Sequence, residues 1–264
     1  MVRNQNQLVR AMWVLYIFLA ASAVALPQTG LQHPSSQSIQ SEVDKLFAPW
    51  DKHDSPGCAL AVLKNGTALY MRGYGMADLE HSIPITPATV FQIGSTSKQF
   101  TAMSVILLAG EGKLSLDDPV RKYIPELPDY GVPITLRHLL HHTSGLRNLF
   151  VLYQLAGWRW GDVVNESNEL DLISRQRGLN FRPGDEHSYT NTGYFLLAEV
   201  VKRVSHQSFR DFTRTRIFEP LGMKDTGAFD DTGLLRRNRA MAYNAGPGGF
   251  KNNVTLTETV GDSN

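Results

Sequence analysis

The stretch Phe91-Gln92-Ile93-Gly94-Ser95-Thr96-Ser97-Lys98-Gln99-Phe100-Thr101 sets a serine and a lysine three residues apart. Three residues is just under one helical turn, so on a helix both side chains share a face and the amine can lie beside the Ser95 hydroxyl. A serine hydroxyl is a weak nucleophile until a base takes its proton, and an ordinary lysine, with a pKa of about 10.4, is protonated at neutral pH. The pair works only where burial, a positive field or a helix N-terminus disfavours the ammonium form. Ala102, Met103, Ile106 and Leu107 follow at helical spacing up to Gly110 and Gly112. This predicts a buried helix with the pair at its first turn and those four residues on its apolar face.

By itself S-x-x-K recurs by chance, so the weight falls on a second motif. Arg182-Pro183-Gly184-Asp185-Glu186-His187-Ser188-Tyr189-Thr190-Asn191-Thr192-Gly193-Tyr194 reads as a Pro-Gly turn, then Y-x-N, then an apolar helix from Phe195 to Val204. A Tyr189 hydroxyl held near Lys98 can relay a proton between nucleophile and leaving group. Asn191 can bind a substrate carbonyl or orient the lysine. The competing reading has Asn191 capping the following helix and Tyr189 packing beneath it.

S-x-x-K followed by Y-x-N, within the Phe-Gln-Ile-Gly-Ser and Arg-Pro-Gly-Asp contexts, resembles the serine β-lactamase-like superfamily. That superfamily includes class C β-lactamases, DD-peptidases and related esterases. The segments Ile134 to Leu146 and Glu219 to Thr226 extend the resemblance in family order, over roughly residues 38 to 264. The resemblance implies an α+β fold of the β-lactamase/transpeptidase type, an antiparallel sheet flanked by helices with a largely helical subdomain. It further implies an exported serine hydrolase that forms an acyl-enzyme on Ser95 with an amide, ester or lactam. Lys98 then accepts the serine proton, Tyr189 relays it, and Asn191 positions substrate. No cofactor and no metal are called for.

The same resemblance leads to the expectation of a third motif, Lys-Thr-Gly or His-x-Gly, on a sheet strand beyond Y-x-N. No such triplet follows Asn191, and Lys224-Asp225-Thr226-Gly227 carries one residue too many and reads as a turn. That strand in the family supplies the second N–H of the oxyanion hole, the first being that of Ser95. Losing one such donor costs about 100-fold to 1000-fold in turnover. The expectation is a member truncated at its C-terminus, its last strands missing. The alternative to an active hydrolase is an inactive relative that at most binds or slowly acylates with such ligands.

Arg3 and Arg10 precede an apolar run from Ala11 to Leu26, with small residues at Ala23-Val24-Ala25. Residues 1–25 therefore read as a signal peptide, and an uncleaved copy would serve as an anchor. The chain is expected to be secreted or periplasmic, with no stable membrane insertion after cleavage. A linker follows at 26–37, then a partial domain at 38–264, divided into 38–85 (helix and hairpin), 86–220 (helical region) and 221–264. Ile39, Val43, Leu46, Phe47 and Trp50 predict an amphipathic helix to about Lys52 that covers a sheet. Asn65-Gly66 between two β-rich runs predicts a hairpin. The only cysteine, Cys58, allows no intramolecular disulfide and reads as strand core.

A formal net charge of +1 leaves no electrostatic footprint for nucleic acid. The partner expected is a small-molecule or peptide-like substrate, with the oligomeric state open. His138, His141 and His142 have spacing that can share a metal, but no carboxylate motif completes a site, so they read as structural. Tyr153, Trp158 and Trp160 read either as a wall over a cleft or as ordinary packing.

Overall fold

The computed structural model describes residues 36–159, 162–231, 233–253 and 257–258. The signal-peptide segment 1–25, the linker up to residue 35, and Trp160 lie outside the described residues. The chain divides into two units, Met1–Lys45 and Leu46–Asn264. In the first, helix α1 begins at Ser36 and carries a Glu42–Lys45 ion pair. It continues to Phe47 and gives way to a 3₁₀ turn at Ala48–Trp50, earlier than Lys52. Pro49 explains the stop, because its ring and missing N–H cannot continue an α-helix. Leu46 and Trp50 are exposed. Of the expected stripe, Phe47 meets the strands, stacking on Tyr74 at 5.0 Å between ring centroids.

Strands β1 (Cys58–Lys64) and β2 (Thr67–Tyr74) form the expected antiparallel hairpin, with Lys64 opposite Thr67. Asn65 and Gly66 both take the left-handed conformation (φ 51° and 76°), as a tight two-residue hairpin turn requires. A bulge between Val62 and Leu63 shifts the register. Cys58 is only half-buried, at the first position of β1 beside the entry loop, so it is not the core residue expected. Burial nevertheless raises its thiol pKa.

Short strands β3 (Met76–Asp78) and β4 (Ile83–Pro84) pair antiparallel. Among the described residues the strands beyond the helices are β6 (Tyr243–Gly246) and β7 (Gly249–Asn252), a second hairpin, and β8 (Thr257–Glu258). β8 runs parallel to β5 (Val164–Asn165), a strand absent from the helical reading of residues 86–220. The described strands thus form four two-stranded sheets. The class is α+β, as expected.

The helical region is built from α2 (Lys98–Gly110), α3 (Leu136–Leu140), α4 (Leu149–Leu155), α5 (Glu166–Ser174), α6 (Asn191–Ser205) and α7 (Phe209–Thr213). A single π-turn, Arg214–Phe218, continues from α7. Helix α6 is the central element, buried continuously from Asn191 to Ala198 and again at Val200 and Val201. It packs on α2, α3, α4 and α7. The core joins Val105 and Leu108 of α2, Leu136 and Leu139 of α3, and Phe195, Leu196 and Val200 of α6. Burying such side chains is worth roughly 1.5–3 kcal/mol each, enough to fix how α2 and α6 meet.

The buried face of α2 differs from the one expected. Thr101, Ser104, Val105 and Leu108 are buried, whereas Met103 and Ile106 are exposed. Apolar residues surround this helix, so periodicity finds the helix but not its inward face. The observed face includes Lys98.

Candidate active site

Ser95 sits on a 3₁₀ turn, Gly94–Ser97, that feeds into α2, and Lys98 is the first residue of α2. The tight turn leaves Ser95 exposed while Lys98, one turn on, is buried with 7% of its surface accessible. The Lys98 Nζ lies 3.2 Å from Ser95 Oγ. A hydroxyl open to solvent thus has an amine behind it, on the protein side.

The Y-x-N segment meets this pair from α6. Thr190 is the N-cap of α6, its Oγ1 accepting the Thr192 N–H at 3.2 Å. Capping therefore falls to Thr190 and not to Asn191, whose Oδ1 is left to accept from Lys98 Nζ at 2.8 Å. Asn191 is buried, with 4% accessible. Tyr189, 45% exposed, places its hydroxyl 2.6 Å from Ser95 Oγ and 3.4 Å from Asn191 Oδ1. The Lys98 Nζ also faces the rings of Tyr189 and Tyr194, at 5.2 and 5.5 Å from their centroids. All four residues singled out in the sequence, Ser95, Lys98, Tyr189 and Asn191, come together in one hydrogen-bonded cluster.

Such a cluster sets a hydroxyl within hydrogen-bond reach of two proton-carrying groups, an arrangement that can support nucleophilic chemistry. The Ser95 N–H lies at the start of a helical segment, where backbone donors point outward.

Two of the three histidines, His138 and His142, have separate structural contacts. The His138 Nδ1 accepts the Thr135 N–H at 3.3 Å, completing a capping box at the start of α3. The His142 Nδ1 accepts the Thr190 N–H at 3.3 Å, and its ring packs on Tyr189 at 4.5 Å and on Tyr194 at 5.2 Å. Among the described residues no group of three histidine, cysteine or acidic residues is placed to hold a metal. Sequence reasoning missed the contact of His142 with Tyr189. The Ile134–Leu146 segment entered the reading only by its order in the family pattern, which gives no signal for that contact.

Tyr153 is core rather than wall, its hydroxyl on the buried Glu169 carboxylate and its ring 5.1 Å from that of Trp158. A cavity of about 360 Å³, lined by Phe91, Ser97, Phe100, Phe218, Phe229 and Arg236, lies on another side of the Ser95 turn. None of Ser95, Lys98, Tyr189 and Asn191 lines it. Among the described residues no helix is long and apolar enough to cross a membrane.

The chain is 36% identical over 197 residues to a penicillin-binding protein of Bacillus subtilis (strain 168), a match that covers 74% of this chain and 43% of that protein. It is 36% identical over 189 residues to a D-aminopeptidase of Gluconobacter oxydans (strain 621H), covering 72% of this chain and 35% of the relative. It therefore spans less than half the length of these relatives. Among solved structures, the octameric penicillin-binding protein homologue from Pyrococcus abyssi superposes with a TM-score of 0.73 at 29% identity, covering 87% of this chain and 53% of that one. The Beta-lactamase family model matches residues 43–260, the span that holds both motifs and the helices presenting them, and the chain belongs to the beta-lactamase family.

Proposed function

We propose that this chain carries the acylating centre of an exported serine hydrolase, with Ser95 as the nucleophile toward amide, ester or lactam carbonyls. The observation that carries the reading is the position of Ser95 Oγ, between Tyr189 OH at 2.6 Å and Lys98 Nζ at 3.2 Å. The hydroxyl proton passes to the adjacent Lys98 Nζ while Oγ bonds to the carbonyl carbon. Tyr189 passes a proton to the leaving nitrogen or oxygen as its bond to that carbon breaks. Water then attacks the acyl-enzyme, and Oγ leaves with a proton returned through the same groups. Asn191 holds Lys98 from beneath and, through its side-chain amide, offers a donor to substrate. The Ser95 N–H serves as one donor to the developing oxyanion.

The relatives named a penicillin-binding protein and a D-aminopeptidase favour a peptide-like substrate, and the apolar run at Ala11–Leu26 supports export. A second reading is a family member that at most binds or slowly acylates with such ligands. Steady-state hydrolysis of a nitrophenyl ester and of D-amino-acid amides, for the wild type beside Ser95→Ala, separates the two. Turnover abolished by the substitution supports the first reading. A single burst without turnover supports the second, and activity that survives Ser95→Ala contradicts both.

A further inference from the structure

We propose that His142 is the positioning residue of this centre, a neutral imidazole that holds the Thr190 N–H and so fixes the Tyr189 hydroxyl over Ser95. The inference rests on the hydrolase reading above for its effect on rate, but its geometry stands apart from it.

Three contacts of His142 fall on residues 188–190, and a fourth reaches Tyr194 on α6. The Nδ1 accepts the Thr190 N–H at 3.3 Å. The carbonyl oxygen accepts the Ser188 N–H at 2.9 Å. The ring lies 4.5 Å from the Tyr189 ring and 5.2 Å from that of Tyr194. Ser188 and Thr190 flank Tyr189, so one residue grips the backbone on both sides of the phenol and packs on its face. The backbone of His142 is itself left-handed, φ 56°, a conformation that few non-glycine residues adopt. That turn aims both its carbonyl and its ring at the 188–190 segment.

An N–H aimed at Nδ1 needs the lone pair there, so the grip exists only for the neutral ring with its proton on Nε2. Burial pushes the His142 pKa below the usual histidine value, and the charge of Lys98 works in the same direction. The groups facing the ring are Lys98 on α2, His187 and Tyr189 on the loop, Tyr194 on α6, and His141 beside it. At neutral pH the grip is closed. As pH falls through the His142 pKa, Nδ1 becomes a donor facing a donor, and the tether opens.

The test compares His142→Asn with His142→Gly. Both residues tolerate the left-handed backbone, and only asparagine offers an oxygen near the place of Nδ1. Rates of Ser95 labelling by a fluorophosphonate are measured from about pH 4.5 to about pH 8, spanning the histidine range. His142→Gly is expected to lose about tenfold to 100-fold at neutral pH, the scale of a misplaced catalytic group. His142→Asn is expected to stay within about threefold of wild type there and to lose the acid limb of the profile. His187→Gln is expected to keep that limb. Equal rates for the glycine and asparagine variants, or an acid limb unchanged in His142→Asn, would overturn the proposal. In parallel, the Thr190 amide resonance of the wild-type chain is followed over the same pH range. A Thr190 amide shift that tracks His142 upholds the tether even in a chain that fails to label, in which case the hydrolase reading alone falls. A Thr190 amide indifferent to His142 overturns the tether even in a chain that labels.

Discussion

The Lys98 Nζ donates to Asn191 Oδ1 at 2.8 Å, joining the first residue of α2 to the first residue of α6. The site is therefore assembled by helix packing: α2 and α6 pack on each other within one core that includes Val105, Leu108, Phe195 and Leu196, and there the amine and its acceptor meet. Asn191→Leu keeps a similar volume but removes that acceptor from a buried donor, which is expected to cost about 1–3 kcal/mol of stability. Urea unfolding measures the cost, and labelling of Ser95 is expected to slow in the same variant because Lys98 loses its anchor. A variant as stable as wild type, with unchanged labelling, would show that the bond positions nothing.

Tyr189→Phe separates catalysis from folding. The side chain is nearly half exposed, and its hydroxyl touches Ser95 Oγ and Asn191 Oδ1. Stability is expected to change by less than about 0.5 kcal/mol. Removing a proton relay is expected to slow turnover by about 10²-fold to 10⁴-fold. An ester-hydrolysis rate within a few fold of wild type would remove Tyr189 from the mechanism.

Gly145 ties the turn after α3 to the loop leading to Y-x-N. It has φ 72°, its carbonyl accepts the Asn180 N–H at 2.8 Å, and a Cβ there would lie 2.1 Å from the Phe181 carbonyl oxygen. Gly145→Ala meets both a strained backbone and a clash with main chain, and is expected to destabilise by about 2–4 kcal/mol. Thermal unfolding checks it, and an unchanged midpoint would mean that the 178–184 loop moves aside at no cost.

Acid should weaken this fold through identifiable groups. The Tyr123 hydroxyl, the Ser115 N–H and Lys122 hold the Asp118 carboxyl down at about 2. A carboxylate with a lowered folded-state pKa contributes stability that is present above its unfolded value, about 3.9, and is lost as pH falls toward the folded one. His142, lowered by burial, acts in the same direction at higher pH, because the unfolded chain takes up its proton first. The melting temperature is expected to fall as pH drops from about 4 toward 2. In Asp118→Asn that part of the decline is expected to flatten, whereas an identical decline would assign it to other groups.

The parts of the site that were legible in the sequence are those written in short segments. The S-x-x-K spacing, the glycines that end α2 and the Pro-Gly turn before Y-x-N are local, and Asn65-Gly66 names its hairpin. What was not legible depends on through-space packing. The inward face of α2 was misread because Met103 and Ile106 are as apolar as the buried Val105 and Leu108. Capping was assigned to Asn191 as the competing role, although Thr190 next to it has a side chain that reaches the Thr192 N–H. The pairing of Val164 with Thr257 spans a sequence distance that no periodicity reports. The grip of His142 on Thr190 joins residues on different segments, and the histidine cluster drew attention as a metal question instead.

The central claim is that Ser95 is a nucleophile activated in place by Lys98 and Tyr189. The direct measurement is incubation of the purified chain, beside Ser95→Ala and Lys98→Ala, with a fluorophosphonate, followed by intact mass and peptide mapping. The account predicts one covalent adduct on Ser95 in the wild type, none in Ser95→Ala, and labelling slowed by about 10³-fold or more in Lys98→Ala. A folded wild-type chain that takes up no probe, or an adduct that persists in Ser95→Ala, would contradict it.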